Sequence, residues 1–117
     1  MIYLKAERIK KETERAYLLQ CPDSNYSYGN ACYWLSKSRA RLKQVGDYQY
    51  LEVSFPRTGV AELTRFISKK KPVLKFEVDW EWIESMYRAD HELVKLNISF
   101  QCQNQLADRQ FEREMRY

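Results

Sequence analysis

Leu74, Phe76, Val78, Trp80 and Trp82 alternate with Lys75, Glu77, Asp79 and Glu81, and a period of two sustained over this run is the pattern of a β-strand with one buried face. No other run in the chain is so regular. After a polar break at residues 85–92 the alternation returns, with Val94, Leu96, Ile98 and Phe100 set against Lys95, Asn97 and Ser99. The two runs predict a wide antiparallel hairpin at the centre of a sheet. A rival reading starts a short helix at Asp79, an N-cap residue type followed by acidic residues in what would be the first turn.

The 117 residues suffice for one domain, 1–117, with a core that needs neither disulfide nor metal. Hydrophobic residues at 44% and aromatics at 15%, with only three Gly and three Pro, predict an ordered chain without long linkers. Three cysteines, Cys21, Cys32 and Cys102, are an odd number with no close pair, and Met1 to Leu4 runs into charge instead of an apolar segment. These features predict a reduced, cytoplasmic protein. No run has the roughly 20 apolar residues that a membrane-spanning helix needs, so no membrane partner is expected.

Charge is segregated. The chain carries +4, yet Phe76 to Glu92 holds six acids against the single base Arg88, a net of −5 that leaves +9 on the remainder. An excess of that size suits a polyanionic partner.

Alternation predicts further strands at 2–9, 15–21, 31–37 and 48–55, separated by a charged turn at 10–14, a loop at 21–30 that presents Tyr26 and Tyr28, and a Gly46-Asp47 turn. In the 15–21 strand Ala16 and Leu18 share one face and Tyr17 and Leu19 the other, so both faces are candidates for burial. Thr58 can cap a helix through Val60, Leu63, Phe66 and Ile67, ending at Lys69, Lys70, Lys71 and Pro72. Residues 103–117, with Ala107, Phe111 and Met115 four apart, predict a C-terminal helix that docks loosely, pairs with a second copy or frays. The expected fold is α+β: a mainly antiparallel twisted sheet or small barrel with one central helix and a C-terminal helix.

Lys37, Arg39, Arg41 and Lys43 occupy every second position. On a strand they would line one face at intervals of about 7 Å, a spacing suited to a nucleic-acid backbone. Two plainer readings compete: edge-strand cations that block sheet-to-sheet association, and a short helix over 37–45 closed by Gly46 that would scatter them. Lys69, Lys70 and Lys71 also suit phosphate, although a helix C-terminus favours cations in any case. Tyr26, Tyr28, Trp34 and Tyr50 are candidates for stacking on bases, although each suits the core or a half-buried sheet better than a platform, Trp34 more so than the loop tyrosines.

Enzyme chemistry finds little support. His91 is the single histidine, no serine or cysteine stands in a nucleophile motif, and no Gly-rich phosphate loop is present. The cysteines and His91 lack the paired spacing of zinc sites, so neither metal nor cofactor is expected. Glu77, Asp79 and Glu81 would share one strand face, which suits a solvated surface or a contact with a protein partner.

Three segments carry a family resemblance. Glu12-Thr13-Glu14-Arg15-Ala16-Tyr17-Leu18, Trp34-Leu35-Ser36-Lys37-Ser38, and Phe55-Pro56 followed by Lys69-Lys70-Lys71 resemble, in order, motifs of a group of small β-rich proteins of bacteriophages and other mobile elements. Ser36 stands where the group has proline, and nothing after Pro72 matches. The resemblance implies an accessory role in a mobile element and a small barrel, with no defined activity to carry over.

The expected function is therefore non-enzymatic binding of single-stranded DNA or RNA, through phosphate contacts at Lys37, Arg39, Arg41, Lys43 and Lys69 to Lys71, with stacking on Tyr26 and Tyr28. The alternative is a protein-interaction module, an inhibitor or adaptor of a host protein or a homodimer, using Glu77, Asp79 and Glu81.

Overall fold

A computed structural model of the chain describes the backbone of residues 1–22, 31–68 and 71–114, and the side chains of residues 1–22, 31–65 and 75–103. The fold is α+β with antiparallel sheets, the class the alternation predicts. One sheet has the order β1 (Ile2–Lys5), β6 (Tyr48–Val53), β5 (Ala40–Val45); the other has β2 (Ile9–Glu12), β3 (Ala16–Gln20), β4 (Ala31–Ser36), β7 (Val60–Ser68), β8 (Lys71–Asp79). Helices α1 (Trp80–Met86) and α2 (Arg88–Glu114) follow. The sheets stay open instead of closing into a barrel.

The chain passes from one sheet to the other at three corners. A 3-10 turn at Ala6–Arg8 splits the expected first strand, sending β1 to one sheet and β2 to the other. The expected charged turn at 10–14 is therefore largely strand, and the reversal falls at Thr13, whose hydroxyl accepts the Ala16 N–H at 3.1 Å. Residues 37–39 form the second corner and residues 54–59 the third. Between β5 and β6 the chain turns at Gly46-Asp47, where Gly46 takes φ 57°, a left-handed conformation that glycine adopts without strain.

One hydrophobic cluster draws on both sheets, on α1 and on the α1–α2 junction: Leu4, Leu19, Tyr33, Leu51, Val53, Leu63, Ile83 and Tyr87 are all buried in it. Both faces of β3 are covered, since Tyr17, Leu18 and Leu19 are all buried. At the centre of the cluster lie four rings. Phe55 stacks on Trp80 (5.9 Å) and on Tyr87 (6.0 Å), and Tyr33 meets Trp80 edge-on at 5.8 Å. The Tyr33 hydroxyl donates to Tyr87 (2.9 Å), whose own hydroxyl donates to the Gln20 carbonyl (2.6 Å), so neither buried phenol is left unsatisfied.

Two expectations are overturned. The segment read as a helix from Thr58 is strand β7, paired with β8 from Val60↔Asp79 onward. Ala61 and Leu63 are buried while Glu62 is exposed, so the segment also satisfies a period of two, and a strongly alternating partner decides the matter. The expected second arm of the central hairpin is helix α2. The rival helix at Asp79 forms instead: β8 ends there, Trp80 N–H donates to the Gly59 carbonyl at 3.2 Å, and Trp80, Ile83, Tyr87 and Val94 face the protein interior at helical spacing. Asp79 occupies the N-cap without a side-chain hydrogen bond. The central helix thus stands at 80–86, and the C-terminal helix begins some fifteen residues earlier than its composition suggests.

Helix α2 is held to the sheet by polar side chains. β1 pairs with β6 along one edge, and on its other edge Tyr3 N–H donates to His91 Nδ1 (3.0 Å) and Lys5 N–H to Asp90 Oδ2 (3.3 Å). Asp90 also takes a two-pronged hydrogen bond from Arg8, both contacts 2.9 Å, and is buried. The His91 ring stacks on Tyr3 at 5.2 Å. Removing one partner of a buried ion pair strands the other, a loss of roughly 3–5 kcal/mol. Asp90→Ala is expected to lower stability by an amount in that range, read from the urea midpoint, and Asp90→Asn to lose less because it still accepts the Lys5 N–H.

Candidate nucleic-acid interface

The four alternating cations do not form one row. Lys37 lies in the β4–β5 corner, ion-paired with Glu12 and 4.9 Å above the Tyr17 ring. Arg39, in the same corner, is exposed and donates through Nη1 to the Ser54 carbonyl at 3.4 Å. Arg41 and Lys43 are on strand β5 and share one face, as the period of two requires. Between them on β6 sits Glu52, opposite Arg41 in register and 2.9 Å from Lys43 Nζ. The hydrogen bond and charge of Glu52 raise the Lys43 pKa. Two carboxylates thus answer two of the four cations, leaving Arg39 and Arg41 exposed without an ion pair among the described residues.

β5 is the end strand of its sheet, so the anti-aggregation reading of these charges and the phosphate-binding reading apply to the same edge. The short helix over 37–45 does not form. Tyr26, Tyr28, Lys69 and Lys70 lie outside the described residues, as does the side chain of Lys71, whose backbone opens β8.

The other two aromatic candidates divide. Tyr50 is buried, in edge-on contact with Tyr3 at 5.4 Å. Trp34, by sequence a better core candidate than the loop tyrosines, is 49% exposed on the outer face of β4. Parity explains it: Tyr33 and Leu35 face the core, so the residue between them faces away.

The acidic residues also divide. Glu77 and Asp79 are exposed at the end of β8 and line a shallow cleft of about 300 Å³ with Val78 and Trp82, which is 49% exposed. Glu81 does not share their strand face, because the chain has turned into α1; it lines a separate cleft of about 410 Å³ with Glu84, Arg88, His91 and Glu92. Asp90 has left the acidic surface altogether for its pairing with Arg8. No three His, Cys, Asp or Glu side chains among the described residues converge to hold a metal ion, and no helix among them is long and apolar enough to cross a membrane.

Compared with protein-family models, curated proteins and solved structures, the chain matches none.

Two buried thiols and two buried phenols are kept neutral by their surroundings. Burial pushes the Cys21 thiol up to about 12 and raises Cys32, while desolvation holds Tyr33 and Tyr87 well above the usual phenol range. Cys102 is exposed. Thiol reagents at pH 8 are therefore expected to modify Cys102 in the native protein and to reach Cys21 and Cys32 only after unfolding. Each raised group holds its proton more tightly when folded, so the stability it contributes is complete below the ordinary thiol value of 9.0 and phenol value of 10.0 and is lost above them. Urea midpoints are expected to fall progressively from pH 9 towards pH 12.

Proposed function

We propose that the chain is a non-enzymatic nucleic-acid-binding accessory protein that grips phosphates along the β4–β5 corner and the β5 edge. The observation that carries this reading is the pair Arg39 and Arg41, exposed and without carboxylate partners among the described residues, in a chain whose acids concentrate at the end of β8, on α1 and in the first turns of α2. Lys37 and Lys43 contribute less, because a phosphate must compete with Glu12 and Glu52 for them. The motifs at 12–18 and 34–38 support a role in a mobile element by resemblance alone.

Arg39→Ala with Arg41→Ala is expected to weaken oligonucleotide binding and to flatten its salt dependence by about 1.4 in the log-log slope for a single strand, two contacts at roughly 0.7 each. The domain should keep its circular dichroism, since neither side chain is in the core. Fluorescence anisotropy at two salt concentrations reads both; unchanged affinity and slope would sink the assignment.

A second reading rests on Trp82. A half-exposed tryptophan beside Glu77 and Asp79 in a cleft is the composition of a protein contact, an aromatic anchor with a charged rim. In that case Glu77→Lys would abolish a salt-tolerant protein association and leave oligonucleotides unaffected.

A further inference from the structure

The outer face of β2, β3 and β4 carries no acid: Lys11, then Ala16, Leu18 and Gln20, then Cys32, Trp34 and Ser36. In register across the three strands run Lys11, Leu18 and Trp34, since Lys11 pairs with Leu18 and Leu18 with Trp34. Leu18 is buried without belonging to the main core cluster, so the middle of this row is a second, small apolar patch. Beside Trp34 along its own strand stand Cys32 and Ser36, and diagonally Ala16, all too short to cover an indole. The ring is left half exposed to solvent.

β2 adds charge to this face by an irregularity. Ile9 pairs with Leu19 and Lys11 with Leu18, so β2 spends two residues where β3 spends one, and Lys10 is the extra residue of a bulge. The bulge lets Ile9 pack on the core while Lys11, two residues later, faces outward. Lys10 is exposed too, and its charge acts on the Cys32 thiol across the same face. Neither lysine has an ion pair among the described residues.

We infer that this face is a stacking platform for an unpaired base, with Trp34 as the platform and the bulged Lys10 and Lys11 holding the adjoining phosphate, so that the protein prefers single strands to duplex. The inference rests on the nucleic-acid reading above and names its substrate class. A flat π surface on an open sheet takes a base only when that base is out of a duplex, whereas exposed arginines serve either form. Charge favours this occupant: Lys10 and Lys11 are unpaired among the described residues on the β2 side of the face, while Glu62, which β7 places on the same face beyond Trp34, is already ion-paired with Lys75 at 3.7 Å.

The test titrates labelled single-stranded and duplex oligonucleotides of one sequence with wild type, Trp34→Phe, Trp34→Leu and Lys10→Ala/Lys11→Ala, each checked for unchanged circular dichroism. Wild type should bind the single strand more tightly. Trp34→Leu, which keeps an apolar contact with Leu18 and has no π face, should lose roughly tenfold or more on the single strand and leave duplex binding as it was. Trp34→Phe should retain most of the preference, and the double lysine variant should reduce the salt slope by about 1.4. Trp34→Leu binding single strands like wild type would overturn the platform and leave the arginine interface standing. Failure of wild type to bind either oligonucleotide at low salt would remove both.

Discussion

The junction of β1 with α2 carries the architecture. A four-residue edge strand would ordinarily expose one row of backbone N–H groups to water or to another chain; here two consecutive helix side chains, Asp90 and His91, accept those of Tyr3 and Lys5. Helix side chains thereby do the work of a missing strand. Because Asp90 is also clamped by Arg8 from the corner that leads to β2, one carboxylate joins the first strand, the passage between sheets and the final helix. Its burial is tolerable only because its oxygens are occupied: the backbone N–H and both guanidinium contacts replace the water it gives up.

The second organising event is the change from strand to helix at Asp79. Gly59 faces it with φ 93°, and the Gly59 carbonyl receives the first helical N–H. A residue with a side chain would be strained at that φ, so glycine is what lets the 54–59 corner approach the start of α1. The turn drops Trp80 between Phe55 and Tyr33 and leaves Trp82 outside, which splits two tryptophans that a continued strand would have kept on one face. The same turn breaks the acidic row, carrying Glu81 away from Glu77 and Asp79.

Helix α2, 27 residues or about 40 Å long, is far longer than the strand it covers. Val94 is buried on the sheet side, while Leu93, Leu96 and Phe100 are exposed elsewhere on the helix. Read along the chain, Val94, Leu96 and Phe100 belong to a single alternation, yet in space they belong to different sides of a cylinder. Charge behaves likewise: four cations two residues apart look like one surface, but the corner at 37–39 and the carboxylates of Glu12 and Glu52 reduce them to a pair of available arginines.

Where a short-range rule met no competitor, the sequence alone determined the outcome: the two-residue Gly46-Asp47 reversal, the strands at 31–36 and 48–53, the two covered faces of β3, and the α+β class. Two segments satisfied more than one period, and there tertiary pairing chose. Residues 60–68 became a strand because β8 offered a ladder, and residues 88–100 became a helix because Trp80, Ile83, Tyr87 and Val94 reach the core together only on helical geometry. That second stripe was legible in the spacing, but Asp90 and His91 fall on its buried side and hide it from any count of apolar residues. Their placement makes sense only once Arg8 and the free edge of β1, more than eighty residues away in sequence, are beside them. The candidate interface divides in the same way: the cations are written in the chain, while which of them remain unpaired, and that Trp34 faces outward two strands away from a bulge carrying two lysines, follows from strand register, a long-range property that no local spacing contains.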